Sequence, residues 1–243
     1  LLNYIITKYI KVDNSNKCSL EKIINDKFLF IIMDIDNKIL TNLFKFIEHN
    51  GIILNIKEKN LNFLIENSNF ENTKLFLKKF KKIEYDNNLL LLSAIYSNNL
   101  KKVKYIYEKI LNKKLNNIDE IINKTLINGF LDIYLYFRLG NFIPTNINLI
   151  LTKSIKDDNF KLFKHFGKII NRNNYEQYLN YSINFNKSNF TKFIIKKIKK
   201  IPKFNDNILE QVIINGDLNI LNSFKNLGCK FQNIDPNLLL KFN

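Results

Sequence analysis

Residue types that carry chemistry or covalent cross-links are scarce in this 243-residue sequence, which has two cysteines, two histidines, one methionine and no tryptophan. Cys18 and Cys229 lie far apart along the chain, and isolated thiols fit a reducing interior better than a disulfide-bonded secreted fold. His49 and His165 have neither cysteines nor carboxylates at ligand spacing. We therefore predict that the chain binds no metal and has no catalytic histidine.

Long apolar runs are absent as well. No stretch of about 18 uncharged apolar residues occurs, so the sequence predicts no membrane-spanning helix. The N-terminal residues lack the basic region and small-residue cleavage site of a secretory signal. They also lack an initiator methionine, from which we expect a segment of a longer protein. The expected location is intracellular, in cytoplasm or nucleus, or in host cytoplasm or virion if the source is viral.

Catalytic motifs are equally scarce. The sequence has no glycine-rich phosphate loop, no serine nucleophile elbow and no pair of histidines at helical zinc spacing. The adjacent acids Asp157 and Asp158 fall in a predicted turn between helices, where aspartate commonly caps the next helix. We predict a protein that is not an enzyme and uses no cofactor.

An internal repeat of about 30 residues is the main feature that is present. Residues 213 to 228 read IINGDLNILNSFKNLG and resemble residues 126 to 140, LINGFLDIYLYFRLG. Stepping back from Leu218 gives one corresponding residue in each of seven repeats: Leu40, Phe70, Leu100, Leu131, Phe160, Phe190 and Leu218.

Two columns of this alignment are apolar in every repeat. Nine residues before these positions lie Ile31, Leu61, Leu91, Ile122, Leu151, Tyr181 and Leu209, and five before lie Ile35, Ile65, Ile95, Leu126, Ile155, Phe185 and Ile213. The columns three and six residues after these positions are apolar with one exception each, Thr73 and Lys196. Spacings of three and four are helical. Asn37, Asn67, Asn128 and Asn215 are predicted left-handed residues that end the first helices.

The pattern predicts an all-α protein, an α-solenoid of about seven helix–turn–helix repeats. Each repeat is too small to bury its own apolar columns and must stack on its neighbours. The predicted repeats are 29–58, 59–88, 89–119, 120–148, 149–178, 179–206 and 207–236, preceded by a partial helix and loop (1–28) and followed by the start of a further repeat (237–243).

The segment NGDLNILNSFKNLG resembles the second half of an ankyrin repeat, in which a glycine-containing turn precedes Leu-x-Ile-Leu and a later Leu-Gly. The sequence departs from that family in lacking its Thr-Pro-Leu-His opening, in its shorter period, and in an irregular small-residue position (Asp34, Leu64, Ala94, Thr125, Ser154, Asn184, Val212). Tetratricopeptide and HEAT arrays are the structural alternatives. The resemblance implies a protein–protein interaction scaffold. Divergent arrays of this kind are common in large DNA viruses and in protists with A/T-rich genomes.

In ankyrin-like arrays the partner usually meets the first-helix face and the loops beside it. The residues predicted to be exposed there and to contact a partner are Phe63, Tyr96, Lys124, Lys153, Lys156 and Gln211. An aromatic side chain on such a face can anchor a protein partner. An ordinary, scattered exposure of aromatics is the competing interpretation.

Positive charge is abundant, with a formal net charge of +16. Lysines predicted to form a basic edge are Lys78, Lys79, Lys81, Lys82, Lys101, Lys102, Lys196, Lys197, Lys199 and Lys200. Such an edge would attract an acidic protein, or nucleic acid or ribonucleoprotein. A solvated helix face, with lysine enriched by A/T-rich codons, is the alternative, and an architectural segment of a larger assembly is a third hypothesis.

Overall fold

A computed structural model describes residues 35–49, 51, 53–54, 56–115, 117–137, 144–170, 174–198, 206–226 and 228. These residues form thirteen α-helices, with no β-strand among them. The prediction of an all-α protein is confirmed.

The helices, in chain order, are α1 (Asn37–His49), α2 (Glu58–Asn67), α3 (Phe70–Lys79), α4 (Asn87–Tyr96), α5 (Leu100–Tyr105), α6 (Ile118–Ile127), α7 (Leu131–Phe137), α8 (Ile147–Lys156), α9 (Phe160–Phe166), α10 (Tyr175–Asn184), α11 (Ser188–Ile195), α12 (Asp206–Asn215) and α13 (Leu218–Asn226). A π-helical turn, Ile106–Ile110, extends α5. From α2 onward they form pairs, of which the even-numbered member is here called the first helix and the odd-numbered member the second helix. Helix α1 packs on α3 and is also called a second helix.

The chain divides into two compact halves. In the N-terminal half, which holds residues 35–125 and 132–137, α2 packs on α4, and the second helices α1, α3 and α5 pack in series. In the C-terminal half, which holds residues 126–131 and the described residues from 144 onward, α8, α10 and α12 pack in series, as do α9, α11 and α13. Within each half, first helices therefore contact first helices and second helices contact second helices.

The apolar columns form the buried cores of these packed helices. Leu91, Leu151 and Leu209 are all buried, as the repeat predicts. Thr73, an exception in the sequence pattern, is also fully buried. Its hydroxyl donates to the Asn69 carbonyl (2.9 Å) and shares a hydrogen bond with the Ser68 hydroxyl (3.1 Å). A polar side chain is tolerated in the core here because its hydrogen-bonding capacity is satisfied.

The turn between the two helices of a pair has one conformation in five successive pairs. The second residue before the second helix has a positive φ in each: Asn98, Gly129, Asp158, Asn186 and Gly216. In each, the N–H of that residue donates to the carbonyl three residues earlier at 2.8 to 3.2 Å. The prediction that Asn128 and Asn215 are the left-handed residues was wrong by one position, because the following residue takes that conformation.

The pair α10–α11 shows that the predicted alignment was wrong by two residues in the sixth repeat. Its second helix begins at Ser188, and its left-handed residue is Asn186, so Ser188 and not Phe190 corresponds to Leu218. Leu179 and Ile183 then occupy the two apolar columns, and both are buried. Tyr181 and Phe185, which the sequence alignment placed in those columns, are not in the core, and Phe185 is 40% exposed. In the corrected alignment, the residue six positions after the start of the second helix is Ile194, which is buried, and not Lys196, which is exposed.

The first predicted position also shifts. Helix α1 begins at Asn37, where Asp36 accepts a hydrogen bond from the Lys38 N–H (2.8 Å). Leu40 therefore lies inside the helix and not at its start. Asn37 is the first residue of α1, so the prediction that it ends a first helix was wrong. Asn67 does end the first helix α2, but it does not have the predicted left-handed conformation. The predicted positions Ile31, Cys18, Cys229, Lys199 and Lys200, and segments 1–28 and 237–243, lie outside the described residues.

Three asparagine side chains donate to backbone carbonyls 30 to 37 residues earlier in the chain. Asn72 donates to the Ile35 carbonyl (2.8 Å), Asn159 to the Gly129 carbonyl (2.8 Å) and Asn215 to the Ile183 carbonyl (2.7 Å). The Gly129 and Ile183 carbonyls also accept backbone N–H groups, from Leu131 and Asn186 respectively. The asparagine side chains therefore add a second donor to these carbonyls and help to hold successive pairs in register.

Candidate interaction surfaces

Two neighbouring first helices of the N-terminal half carry exposed aromatic side chains. Phe63 on α2 is 39% exposed and Tyr96 on α4 is 41% exposed. Both were predicted to contact a partner, and the exposure of both is confirmed. Leu61 and Leu91 lie on the opposite sides of the same helices, and both are fully buried in the core. The two rings therefore stand on a rigid base.

Leu89, which the sequence analysis missed, adds to this surface. It lies in the first turn of α4 and is 49% exposed. Its signal was present in the sequence, since Leu89 to Leu92 is a run of four leucines and one helix face cannot bury all four. Phe63, Leu89 and Tyr96 are together called the aromatic surface below.

Lys124 on α6 borders this surface. Its ammonium forms an ion pair with Glu120 (2.6 Å), and the hydrogen bond to Glu120 raises the pKa of Lys124. An electrostatic interaction with Tyr96 acts in the same direction, which places Lys124 near that ring. The structure therefore brings together three of the predicted partner residues, Phe63, Tyr96 and Lys124, in one half of the molecule.

Asparagine oxygens on the same helices lack partners. Within the described part of the chain, the side-chain oxygens of Asn62 and Asn123 are shielded from water and accept no hydrogen bond. The two residues occupy corresponding positions of α2 and α6, next to Phe63 and Lys124. A shielded acceptor without a donor is costly.

The other predicted partner residues belong to the C-terminal half. Lys153 lies 3.9 Å from Asp157, which precedes the next helix, and Lys156 is exposed. Gln211 donates from Nε2 to Asn215 Oδ1 (3.0 Å), so its amide is engaged within α12. These three residues make no aromatic surface like that of the N-terminal half.

The predicted basic edge is only partly formed in the N-terminal half. Lys78, Lys81, Lys82 and Lys101 are exposed, whereas Lys79 is ion-paired with Glu48. An open groove of about 460 Å³ runs beside this region, lined by Asn37, Glu71, Lys74, Leu75, Leu77, Lys78, Tyr105 and Ile110. Lys74 pairs with Glu71 at its edge (2.6 Å). Acidic partners thus interrupt the positive surface.

Lys102 was predicted on the basic edge, and that prediction was wrong. Its side chain is 2% exposed, and its Nζ donates to the carbonyls of Ile65 (2.7 Å) and Glu66 (3.4 Å). Burial lowers the pKa of Lys102 from 10.5 to about 8, and the charge of Glu66 opposes part of that shift. Lys102 is therefore a link between helix pairs, in the position that Asn72 fills one pair earlier.

In the C-terminal half, the basic surface is larger than predicted. Lys196 and Lys197, at the end of α11, are exposed as expected. Lys164 and Lys168, in and after α9, are also exposed and were missed. They lie four and eight residues after the start of α9, and Lys192 and Lys196 hold the same positions after Ser188. The two-residue error in the sixth repeat concealed this correspondence.

The two histidines occupy surface positions of second helices. His49 is exposed at the end of α1, and His165 is half-buried on α9. Within the described residues, no group of three or more His, Cys, Asp or Glu side chains could hold a metal ion. No described helix is long and apolar enough to cross a membrane.

Comparison of the chain with protein-family models, with curated proteins and with solved structures gave no match.

Proposed function

We propose that the chain is a non-enzymatic, ankyrin-like solenoid that acts as a protein–protein interaction scaffold. The turn conformation repeated in five successive helix pairs supports a repeat array, because one local structure recurs at intervals of 28 to 31 residues. The corrected alignment also supports the resemblance. Six residues before the second helix, the five successive pairs from α4 to α13 have small or β-branched buried residues: Ala94, Thr125, Ser154, Ser182 and Val212.

The observation that carries the binding proposal is the aromatic surface on α2 and α4. Phe63 and Tyr96 are large, half-exposed rings on helices whose other sides are fully buried. Because the rings are already positioned, a partner would lose little free energy in ordering them. The Lys124–Glu120 ion pair would form part of a polar rim around the apolar contact.

The proposal is tested by replacing both rings and identifying what the chain contacts. Phe63→Ser combined with Tyr96→Ser should weaken partner binding at least about tenfold, since central aromatic contacts dominate interface energies. Leu135→Ser is a matched control, because Leu135 is 40% exposed but lies on a second helix, α7. Crosslinking mass spectrometry in native extract would identify the partner and the contacted residues.

The two variants separate the outcomes. Loss of the crosslinked protein with the double variant, and its retention with Leu135→Ser, is the expected result. Crosslinks that fall only on second helices would contradict the proposed face. Recovery of nucleic acid alone, with no protein, would contradict the scaffold function itself.

A further inference from the structure

The C-terminal half has a lysine cluster formed by Lys164, Lys168, Lys196 and Lys197, all of which are exposed. Helices α9 and α11 pack against each other through Phe193, whose ring centroid lies 6.0 Å from that of Phe160 and 5.9 Å from that of Phe163.

Two observations show that the C-terminal ends of α9 and α11 both lie beside the Phe193 ring. A Cβ at Gly167 would lie 2.9 Å from the Phe193 ring, so the backbone beside Lys168 abuts that ring. Lys197 Nζ stands 5.8 Å from the centroid of the same ring. Lysines from both helices therefore border one aromatic side chain.

Negative charge is sparse around this cluster. Residues 159 to 205 contain eleven lysines or arginines and one acid, Glu176. Among the described residues, no member of the cluster has a carboxylate within ion-pair distance, whereas Lys74 and Lys79 in the N-terminal half are both paired. Glu48 and Glu71, by contrast, lie among the lysines of the N-terminal half.

Helix ends account for only a small part of this charge. Each helix C-terminus carries about half a negative charge, so two ends offset about one of the four positive charges. Roughly three remain without compensation, at a cost in self-repulsion that a polyanion would relieve.

The chemistry of the cluster favours phosphate contacts over base contacts. Lysine is a point charge without the two-pronged geometry by which arginine reads a base edge or a planar carboxylate. Proteins that bind single strands stack bases on exposed aromatics, but Phe160, Phe163 and Phe193 pack on one another, with Lys197 over Phe193. A duplex presents its phosphates outward and needs no stacking surface.

We propose that the lysine cluster binds the phosphate backbone of double-stranded nucleic acid without regard to sequence. Lys164 lies in the last turn of α9 and Lys168 just past its end, and packed helices lie about 8 to 10 Å apart. A duplex carries one charge per about 1.7 Å of its axis, so this footprint covers several phosphates. The lysine cluster and the aromatic surface belong to different halves and share no residue, and neither proposal depends on the other.

The test uses the full 243-residue chain and a fluorescently labelled duplex of about 20 base pairs, as DNA and as RNA, followed by anisotropy. The cluster variant combines Lys164→Gln, Lys168→Gln, Lys196→Gln and Lys197→Gln. The control combines Lys78→Gln, Lys81→Gln, Lys82→Gln and Lys101→Gln, which removes the same charge from exposed positions of the N-terminal half. Circular dichroism checks that both variants remain helical, and Lys168→Glu with Lys196→Glu changes the net charge by the same amount through only two substitutions.

Each phosphate contact contributes about 0.9 to the slope of log affinity against log salt. If all four lysines contact phosphates, the magnitude of this slope decreases by about 3 to 4 in the cluster variant and by less than about 1 in the control. For the wild type, these contacts alone correspond to about a 100-fold loss of affinity on raising salt from about 50 to about 200 mM.

Three results would overturn the proposal. The wild type could fail to bind either duplex at low salt. Both variants could lose the same affinity, which would indicate a net-charge effect without a defined site. Polyglutamate of matched charge could compete as strongly as the duplex, which would assign the cluster to an acidic polypeptide.

Discussion

Replacing Lys102 with methionine removes a buried ammonium and keeps a flexible side chain of similar length. In the wild type this ammonium donates to the carbonyls of Ile65 and Glu66 at the end of α2. Burial lowers its pKa from 10.5 to about 8. Lys102 should therefore contribute a pH-dependent part of the free energy of unfolding.

The sign and size follow from proton linkage. Below about pH 8 the ammonium is charged in both states, and the folded state bears the full cost of burying it. Between about pH 8 and about pH 10.5 the unfolded chain binds a proton that the folded chain has released, so stability rises with pH. The shift corresponds to about 3 kcal/mol in total, of which about 2 kcal/mol is gained between about pH 7 and about pH 9.5.

Urea unfolding followed by circular dichroism at these two pH values measures the effect. The quantity compared is the free energy of unfolding of the wild type minus that of Lys102→Met, in which the titration of all other groups largely cancels. This difference should increase by about 2 kcal/mol at the higher pH. Lys101→Met, a substitution of the exposed neighbour, is the matched control, and an equal increase in that variant would show that burial of Lys102 is not the cause. A constant or falling difference for Lys102→Met would refute the reasoning.

Two further predictions test the turn and the register. Ile183→Ala should destabilise the protein by about 2 to 5 kcal/mol because Ile183 is buried. Phe185→Ala should cost less than about 1 kcal/mol because Phe185 is 40% exposed. Thermal or urea unfolding measures both losses, and a larger loss for Phe185→Ala would contradict the corrected register. Gly129→Ala should cost about 1 to 2 kcal/mol of stability, because Gly129 has a φ of +81° and a Cβ there would lie 2.8 Å from Asn159 Nδ2. Asp158→Gly, at the corresponding position of the next pair, should be neutral or mildly stabilising in the same assay. Equal losses in the two variants would contradict the role assigned to the positive φ.

Much of the helical pattern could be predicted from the spacing of apolar residues. Leu61, Leu91, Ile122, Leu151 and Leu209 are buried because a helix packed on one side must present an apolar stripe to its neighbours. The pattern failed in the sixth repeat, where Tyr181 and Phe185 are apolar enough to imitate the core column two residues after the true one. Hydrophobicity alone could not separate the two registers, and the turn at Asn186 decided between them.

The candidate surfaces were predicted less completely. The exposure of Phe63 and Tyr96 followed from their places outside the buried columns, but the position of Lys102 could not be predicted in the same way. A lysine in a second helix is expected in water, since its charge is costly to bury. Lys102 is buried because the helix pair before it presents two carbonyl oxygens at the distance its chain can reach.

The amino-acid sequence by itself determined the helical class, the interval of about 30 residues between repeats and most of the core, because these depend on local periodicity and on where apolar side chains must go. Only the tertiary structure decided which polar side chains join successive pairs, that Lys102 is buried, and that four lysines of the C-terminal half lie without acidic neighbours. Those features depend on distances between residues about 30 positions apart, which no local pattern specifies.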